Sequence, residues 1–170
     1  MIQNLRRGLA VVAVLAATAT GGALWAGYAV ANPTDQPCRA GQLDATLVAG
    51  SPGAGQRYAS VQFTAKRGTA CKLAGALPVT LQGAPGVTVV ADNTGAPPVY
   101  LAGGKSAHIV LHWTGIGAPE QQQTPGSVTV GLPGHGSGAS TLRWDQGAVD
   151  AFSEAHTLSV GAVLPGPAEY

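Results

Sequence analysis

Residues 38–71 read CRAGQLDATLVAGSPGAGQRYASVQFTAKRGTAC, and this stretch decides the fold. Apolar and polar side chains alternate along residues 43–49 and again along residues 58–65, which is typical of two half-buried strands. Residues 51–55 lie between them and read SPGAG, a composition that breaks strands and favours a hairpin connection. The stretch therefore predicts a pair of antiparallel strands.

The only two cysteines of the chain lie at the ends of this stretch. Because a hairpin folds the chain back, we expect Cys38 and Cys71 to meet at one end of the strand pair and to form a disulfide bond. The bond closes a loop of about 33 residues, which corresponds to roughly 3–4 kcal/mol of stabilisation. Two free buried cysteines are the alternative, since free cysteine behaves as a small apolar residue. A zinc site is disfavoured because two cysteines lack their usual partner ligands.

The composition favours strands and turns. The chain contains 25 Gly and 12 Pro, and only 10% of its residues are charged, against about 25% in ordinary soluble domains. Arg6 and Arg7 are two of the 9 basic residues, so without them 7 basic residues face 8 acidic ones, a net charge of −1. A near-neutral domain without a polybasic stretch gives no indication of binding to nucleic acid or to an anionic membrane surface.

Residues 1–31 have the pattern of an export signal. Arg6 and Arg7 precede an uncharged, mostly apolar run over residues 9–31, which ends in the small-residue triplet AVA at residues 29–31. A basic start, an apolar centre and a small-residue end are the three parts of a signal peptide. The arginine pair also permits a twin-arginine interpretation, although its flanking residues match that pattern poorly.

The end of the apolar run predicts cleavage between Ala31 and Asn32. The run is also long enough to span a bilayer, so retention as an N-terminal anchor is the alternative. In both cases the basic start stays inside and the domain faces outward. We therefore expect a secreted or cell-envelope protein that touches a membrane only through an uncleaved N-terminal segment.

The rest of the chain predicts an all-β domain. Residues 32–37 are expected to form a linker, residues 38–164 an Ig-like antiparallel β-sandwich with one disulfide, and residues 165–170 a C-terminal tail. Short strands are expected near residues 79–81, 87–91, 99–101, 106–114, 127–132, 141–144 and 157–164. Residues 115–126 are expected to form a mobile loop, and residues 147–156 allow one helical turn.

Several short motifs resemble a known family. They are Cys38, the turn GAGQ (53–56), FT (63–64), CKLAG (71–75), PVTL (78–81), LAGGKSA (101–107) and LHW (111–113). Together they resemble the secreted actinobacterial domain-of-unknown-function family 4232 over residues 38–164. The resemblance implies an exported Ig-like β-sandwich and supplies no catalytic residues. A lipid-attachment cysteine and any second cysteine pair of relatives are absent from this sequence.

His108 and His112 are the first candidates for chemistry, because they have the spacing of two zinc ligands on a helix. On a strand, four residues cover about 13 Å, which is too far for two ligands of one zinc ion. Ile109, Leu111 and Trp113 alternate with them, so we predict that the histidines occupy the solvent-facing side or the rim of a sheet. No metal ligand and no cofactor is expected.

Residues 134–138, GHGSG, superficially resemble the turn that carries a catalytic serine. His135 occupies the position where that motif needs a glycine before Ser137, and a strand rather than a helix is expected to follow. A phosphate-binding loop is excluded for the same reason, since no helix begins there. We interpret the segment as a flexible loop between strands.

The remaining candidates are weaker. Asp150 and Glu154 would share a face of a helical turn, but solvated turn residues are the simpler interpretation. Trp113 and Trp144 each share a strand face with a leucine and are assigned to the core. Tyr58 and Tyr100 are expected on the surface, and aromatic side chains are enriched at binding surfaces.

These patterns predict a non-enzymatic binding or structural module with an unknown envelope or extracellular partner. A hydrolase with a scattered Ser/His/Asp site is the first alternative, and it requires the three groups within hydrogen-bond reach of one another. A metal-binding exported protein is the second, and it requires at least three converging ligands.

Overall fold

The computed structural model describes residues 35–92, 95–152 and 156–169. The chain divides into two units, residues 1–30 and residues 31–170, and every described residue lies in the second. The predicted signal segment, its cleavage position and residues 32–34 of the linker therefore lie outside the described residues. In the described part, the regular elements are strands and short 3-10 turns. A helix that could cross a bilayer is not found there.

The described residues form thirteen strands. They are β1 (Leu43–Ala49), β2 (Gln56–Ala65), β3 (Ala70–Leu73), β4 (Val79–Gln82), β5 (Thr88–Asp92), β6 (Val99–Ala102), β7 (Ser106–Thr114), β8 (Gln122–Gln123), β9 (Ser127–Gly131), β10 (Ala139–Arg143), β11 (Val149–Asp150), β12 (Thr157–Gly161) and β13 (Leu164–Pro165). The all-β prediction is confirmed.

The larger sheet has six strands in the order β1-β2-β7-β12-β5, and β13 also pairs with β7. Its centre is the antiparallel pair β2–β7, in which every residue of β7 has a partner. Side chains along β7 alternate between buried and partly buried without a break. The period of two therefore assigns the faces of this strand correctly and places Ile109, Leu111 and Trp113 in the core.

The smaller sheet has the order β10-β9-β4, and two further strand pairs, β3–β6 and β8–β11, complete the fold. Val128 and Val130 of β9 belong to the same buried cluster as Val61 and Phe63 of β2. At the flanks, β10 lies beside β1 and β4 lies beside β5. The two sheets therefore share one hydrophobic core.

The predicted disulfide is confirmed. Cys38 and Cys71 are bonded, with their Cα atoms 4.9 Å apart, and both are buried. The bond joins the segment before β1 to β3, where the backbone N–H of Cys38 donates to the carbonyl of Lys72 at 3.0 Å. The bridge thus fixes the entry of the chain into the domain as well as the end of the first hairpin.

The prediction of a purely antiparallel sheet is wrong at one edge, because β5 and β12 are paired in parallel. The two strands are separated by the long segment that contains β6 to β11. Parallel strands need such a long crossover, whereas a tight hairpin forces neighbouring strands to be antiparallel. No local sequence signal specifies the direction of a pairing between such distant segments.

A β-bulge interrupts the predicted strand over residues 157–164. Val160 lies opposite Leu111, and Leu164 lies opposite His108. Four steps along this segment thus match three steps along β7, which leaves one extra residue, as in a β-bulge. The extra residue keeps Val163 in the core, with 5% of its surface exposed.

The residues after 164, expected as a tail, pack on the larger sheet. The backbone N–H of Gly166 donates to the carbonyl of Ser106 at 2.9 Å, and that of Ala168 donates to Oε1 of Gln62 at 2.9 Å. Pro165 has no N–H group to offer along the outer edge of β13, and proline at such a position discourages pairing with another chain.

Two loop predictions are modified by the structure. The predicted helical turn in residues 147–156 is not found in its described part, because Val149–Asp150 forms β11 and pairs with β8. The predicted loop over residues 115–126 contains a 3-10 turn at Pro119–Gln121 followed by β8. Residues 153–155 lie outside the described part of the chain.

Candidate functional site

A cleft at the disulfide end of the domain is the best-formed candidate for a binding site. It lies between the 3-10 turn Ala40–Gln42 and the loop before β10, and its volume is about 370 Å³. Ligand sites typically range from about 300 to 1,000 Å³. The lining residues are Gln36, Pro37, Arg39, Gln42, Ala70, Gly134, His135 and Ser137.

The first wall of the cleft is the segment that follows Cys38. The disulfide holds this segment against β3, and the backbone N–H of Arg39 donates to Oε1 of Gln42 at 2.8 Å. The backbone N–H of Ala40 donates to the carbonyl of Ser137 at 2.7 Å, which joins this wall to the opposite one. The covalent bridge and these backbone contacts therefore fix the spacing of the two walls.

The second wall is a tight turn over residues 134–137. The backbone N–H of Ser137 donates to the carbonyl of Gly134 at 3.3 Å, and Gly136 has a φ of 71°, which favours glycine. A Cβ atom at Gly134 would lie 2.8 Å from Oγ of Ser137, so a larger residue there would clash. This geometry places His135 at the exposed tip of the turn.

The serine of this turn is held in a structural hydrogen bond. Oγ of Ser137 donates to the carbonyl of Pro133 at 2.9 Å, and 5% of the residue is exposed. A nucleophilic serine would instead donate its proton to a base such as histidine. In the described part of the chain, no carboxylate lines the cleft to orient such a base. The arrangement at Ser137 therefore differs from that of a hydrolytic triad.

His108 and His112 project from the face of β7 that is opposite the core, as predicted, but both are only partly exposed. Nδ1 of His108 donates to the carbonyl of Gly166 at 3.1 Å. His112 stacks on Tyr58 with ring centroids 4.7 Å apart, and its Nε2 is hydrogen-bonded to the side chain of Gln56. Each imidazole therefore has its own protein partner.

We expect the double replacement His108→Ala and His112→Ala to lower the free energy of unfolding by about 1–2 kcal/mol, because each ring loses one hydrogen bond. This exceeds the cost expected for two solvent-facing histidines. Chemical denaturation measures the difference. We also expect zinc to leave the melting temperature of the parent unchanged. A zinc-dependent rise in the parent that is absent from the double variant would contradict this assignment.

Asp150 is the one buried carboxylate among the described residues, with 2% of its surface exposed. It accepts hydrogen bonds from the backbone N–H groups of Ile116 and Gly117, at 3.2 and 3.0 Å, and from Nε2 of Gln122 at 3.0 Å. Burial raises the pKa of Asp150, but these bonds and one from the side chain of Thr114 outweigh it, so the pKa lies below its ordinary value. Asp150 therefore stabilises the loop after β7 as an anion.

We expect Asp150→Asn to lower the free energy of unfolding at neutral pH by about 2 kcal/mol, since bonds to a charged acceptor contribute about 1.5–3 kcal/mol. The contribution of the carboxylate is fully present above pH of about 4, the pKa of aspartate in an unfolded chain. It is lost as the pH falls through the depressed pKa of the folded protein. Denaturation at several pH values should show the gap between parent and variant closing below pH of about 4.

The matched control for that experiment is Asp145→Asn, which changes the same charge at an exposed position. We expect the Asp145→Asn variant to differ from the parent by less than about 0.5 kcal/mol at every pH. Equal pH dependence of the Asp150→Asn variant and the parent would show that Asp150 does not carry the acid sensitivity.

The other candidates are not brought together. Among the described residues, no group of three or more His, Cys, Asp or Glu side chains is placed to hold a metal ion. Glu154 lies outside the described part of the chain. Trp113 and Trp144 are buried as predicted, while Tyr58 and Tyr100 are 39% and 54% exposed.

The family described as Domain of unknown function (DUF4232) matches residues 38–164. The chain belongs to this family. The match runs from the first cysteine to the first residue of β13, so it includes both sheets and the cleft residues from Arg39 to Ser137, while Gln36 and Pro37 precede it. Searches of curated proteins and of solved structures give no significant match.

Sequence analysis did not identify the cleft. Arg39 follows the first cysteine and His135 lies in the loop between β9 and β10, far along the chain, so only folding brings them to one cavity. The role of Asp150 was also missed. A single aspartate between Val149 and Ala151 was the available signal, because a charged residue inside a short apolar run needs hydrogen-bond partners if that run is buried.

Proposed function

We propose that this protein is an exported, non-enzymatic binding module of the cell envelope, built as an Ig-like β-sandwich. The observation that carries the proposal is the cleft at the disulfide end. The disulfide and backbone hydrogen bonds hold its walls in place, and two of its polar side chains have no partner within the described protein. Neither the guanidinium of Arg39 nor the imidazole of His135 has a hydrogen-bond or ion-pair partner among the described residues. The donors of both side chains are therefore available to a partner.

The chemistry-bearing groups elsewhere favour binding over catalysis. Ser137 donates to a backbone carbonyl, Asp150 is saturated by four donors, and His108 and His112 have structural partners. A hydrolase needs nucleophile, base and carboxylate within reach of one another. No specific contact in the described part of the chain favours that alternative, or the metal-binding one.

Export is proposed from the signal-like segment at residues 1–31 and from the use of cysteine. The only two cysteines are bonded to each other, and structural disulfides persist mainly in oxidising compartments. Edman sequencing of protein recovered from the envelope or the medium tests the proposal. An N-terminus at Asn32 is expected. Protein recovered only from the cytosol, with free thiols, would contradict export.

Affinity capture from detergent-solubilised envelopes tests the binding function. The baits are the tagged parent, the double variant Arg39→Gln/His135→Asn, and Arg143→Gln. Arg143 is exposed on β10 and does not line the cleft, so it is a charge-matched control. We expect the parent and the Arg143→Gln variant to retain the same molecules, and the double variant to lose them. Identical retention by all three baits would remove the cleft from the binding function.

A further inference from the structure

We propose that the cleft between Arg39 and His135 binds a small oxyanion, such as the phosphate or carboxylate group of a small molecule. This inference rests on the proposed binding function and names the chemical class of the ligand. It follows from the hydrogen-bonding capacity of the lining, from its charge, and from its size.

The lining contains a strong group of hydrogen-bond donors. A guanidinium has five N–H donors and no acceptor, and that of Arg39 is free of partners among the described residues. Oε1 of Gln42 accepts the backbone N–H of Arg39, and the NH2 group of the same side chain has two further donors for a ligand. The hydroxyl of Ser137 adds no donor, because its proton is donated to the carbonyl of Pro133. Such a lining matches a ligand group that only accepts hydrogen bonds.

The charge of the lining points to the same class. Arg39 and His135 supply the ionisable groups, and no carboxylate of the described residues lines the cleft. The groove lined by Asp44, Lys66 and Arg67 differs, because it contains a carboxylate, and Nζ of Lys66 lies 3.5 Å from Oδ1 of Asp44. Arginine is well suited to oxyanions, since its planar fork matches the oxygens of carboxylate and phosphate. The guanidinium of Arg39 is therefore well shaped to bind an anion, and no carboxylate of the described residues is paired with it.

The size of the cleft limits the ligand. A volume of about 370 Å³ accommodates a free phosphate ion or a phosphate ester of a few carbon atoms. A shallower, mainly apolar groove of about 140 Å³ adjoins it and shares Pro37 and Gly134 with it. The anionic group would therefore bind beside Arg39, and a short uncharged remainder would lie along the second groove.

Titration of the ¹⁵N-labelled, disulfide-bonded, full-length protein with inorganic phosphate and with glycerol 3-phosphate tests the inference. We expect both probes to shift the amide signals of residues 39–42 and 134–137 in a saturable way. The tighter probe identifies the source of the anion, a free ion or the phosphate of a larger molecule. Arg39→Gln should weaken binding about tenfold or more, as for loss of a charged hydrogen bond. Its fold should persist, because the contact to Gln42 uses the backbone of residue 39.

Two control variants separate a built site from diffuse attraction. Arg67 lines the groove beside Asp44, whereas Arg143 lies on β10. Arg67→Gln and Arg143→Gln should change the affinity less than twofold. Shifts spread over the surface, absence of binding, or equal weakening by Arg39→Gln and Arg67→Gln would overturn the inference. If anions do not bind but the double variant still loses envelope capture, this inference fails while the proposed function stands.

Discussion

Trp113→Ala is expected to lower the free energy of unfolding by about 3–5 kcal/mol, the usual cost of removing a large buried aromatic side chain. Trp113 is 2% exposed and packs against Trp144, with ring centroids 5.0 Å apart. Its Nε1 donates to the carbonyl of Ala148 at 3.2 Å. The replacement therefore leaves a cavity in the core and an unpaired carbonyl beside it. Urea denaturation followed by circular dichroism measures the loss.

The matched control for Trp113 is Tyr100→Ala, which removes an aromatic side chain that is 54% exposed. We expect that variant to lose less than about 1 kcal/mol. Similar losses at the two positions would show that the core is not organised around β7.

Removing the disulfide is expected to lower the free energy of unfolding by about 3–4 kcal/mol, through the freedom that the unfolded chain regains. The variant is Cys38→Ala with Cys71→Ala, because both positions are buried and alanine adds no polar group there. The sequence separation of 33 residues sets the size of the effect. The midpoint of urea denaturation, with and without reductant, provides the measurement.

Reductant should lower the midpoint of the parent to that of the double cysteine variant and should leave the variant unchanged. A parent that is insensitive to reductant would mean that the bond contributes nothing to stability. Because the first wall of the cleft is tied to β3 by this bond, its loss should also weaken phosphate binding.

The sequence predicted the parts of the fold that local patterns determine. Alternation along residues 106–114 identified the central strand and its core face, because side chains of a strand point to opposite faces in turn. The positions of the two cysteines, on either side of a predicted hairpin, indicated that they form a disulfide with each other. The proline at position 165 is a local signal as well, although its role at the edge of β13 is evident only in the sheet.

The features that were missed depend on contacts between distant segments. The parallel pairing of β5 with β12 and the bulge before Val163 are specified by packing on β7, which no window of sequence contains. Asp150 was interpreted as a solvated turn residue because its four donors come from residues 114–122. In each case a tertiary contact overrides the local preference of the chain.

The cleft could not be predicted for the same reason, because its walls come from distant segments of the chain. Arg39 carries no motif in the sequence, and the motif that contains His135 resembles only a catalytic-serine turn that it does not fit. The residues with familiar spacing, His108 and His112, have structural partners. The disulfide links the predicted fold to the candidate site, because the bond that the sequence predicts also positions the wall that carries Arg39.

Photo-crosslinking in intact cells tests the central claim, that the cleft is the binding site of an exported module, most directly. A photoreactive amino acid is placed at Gln36, which is exposed and lines the cleft, and separately at Glu120, which is exposed on the turn after β7. We expect a covalent adduct, detected by intact mass of the purified protein, from position 36 and none from position 120. Adducts from position 120 alone, or from neither position, would contradict the account.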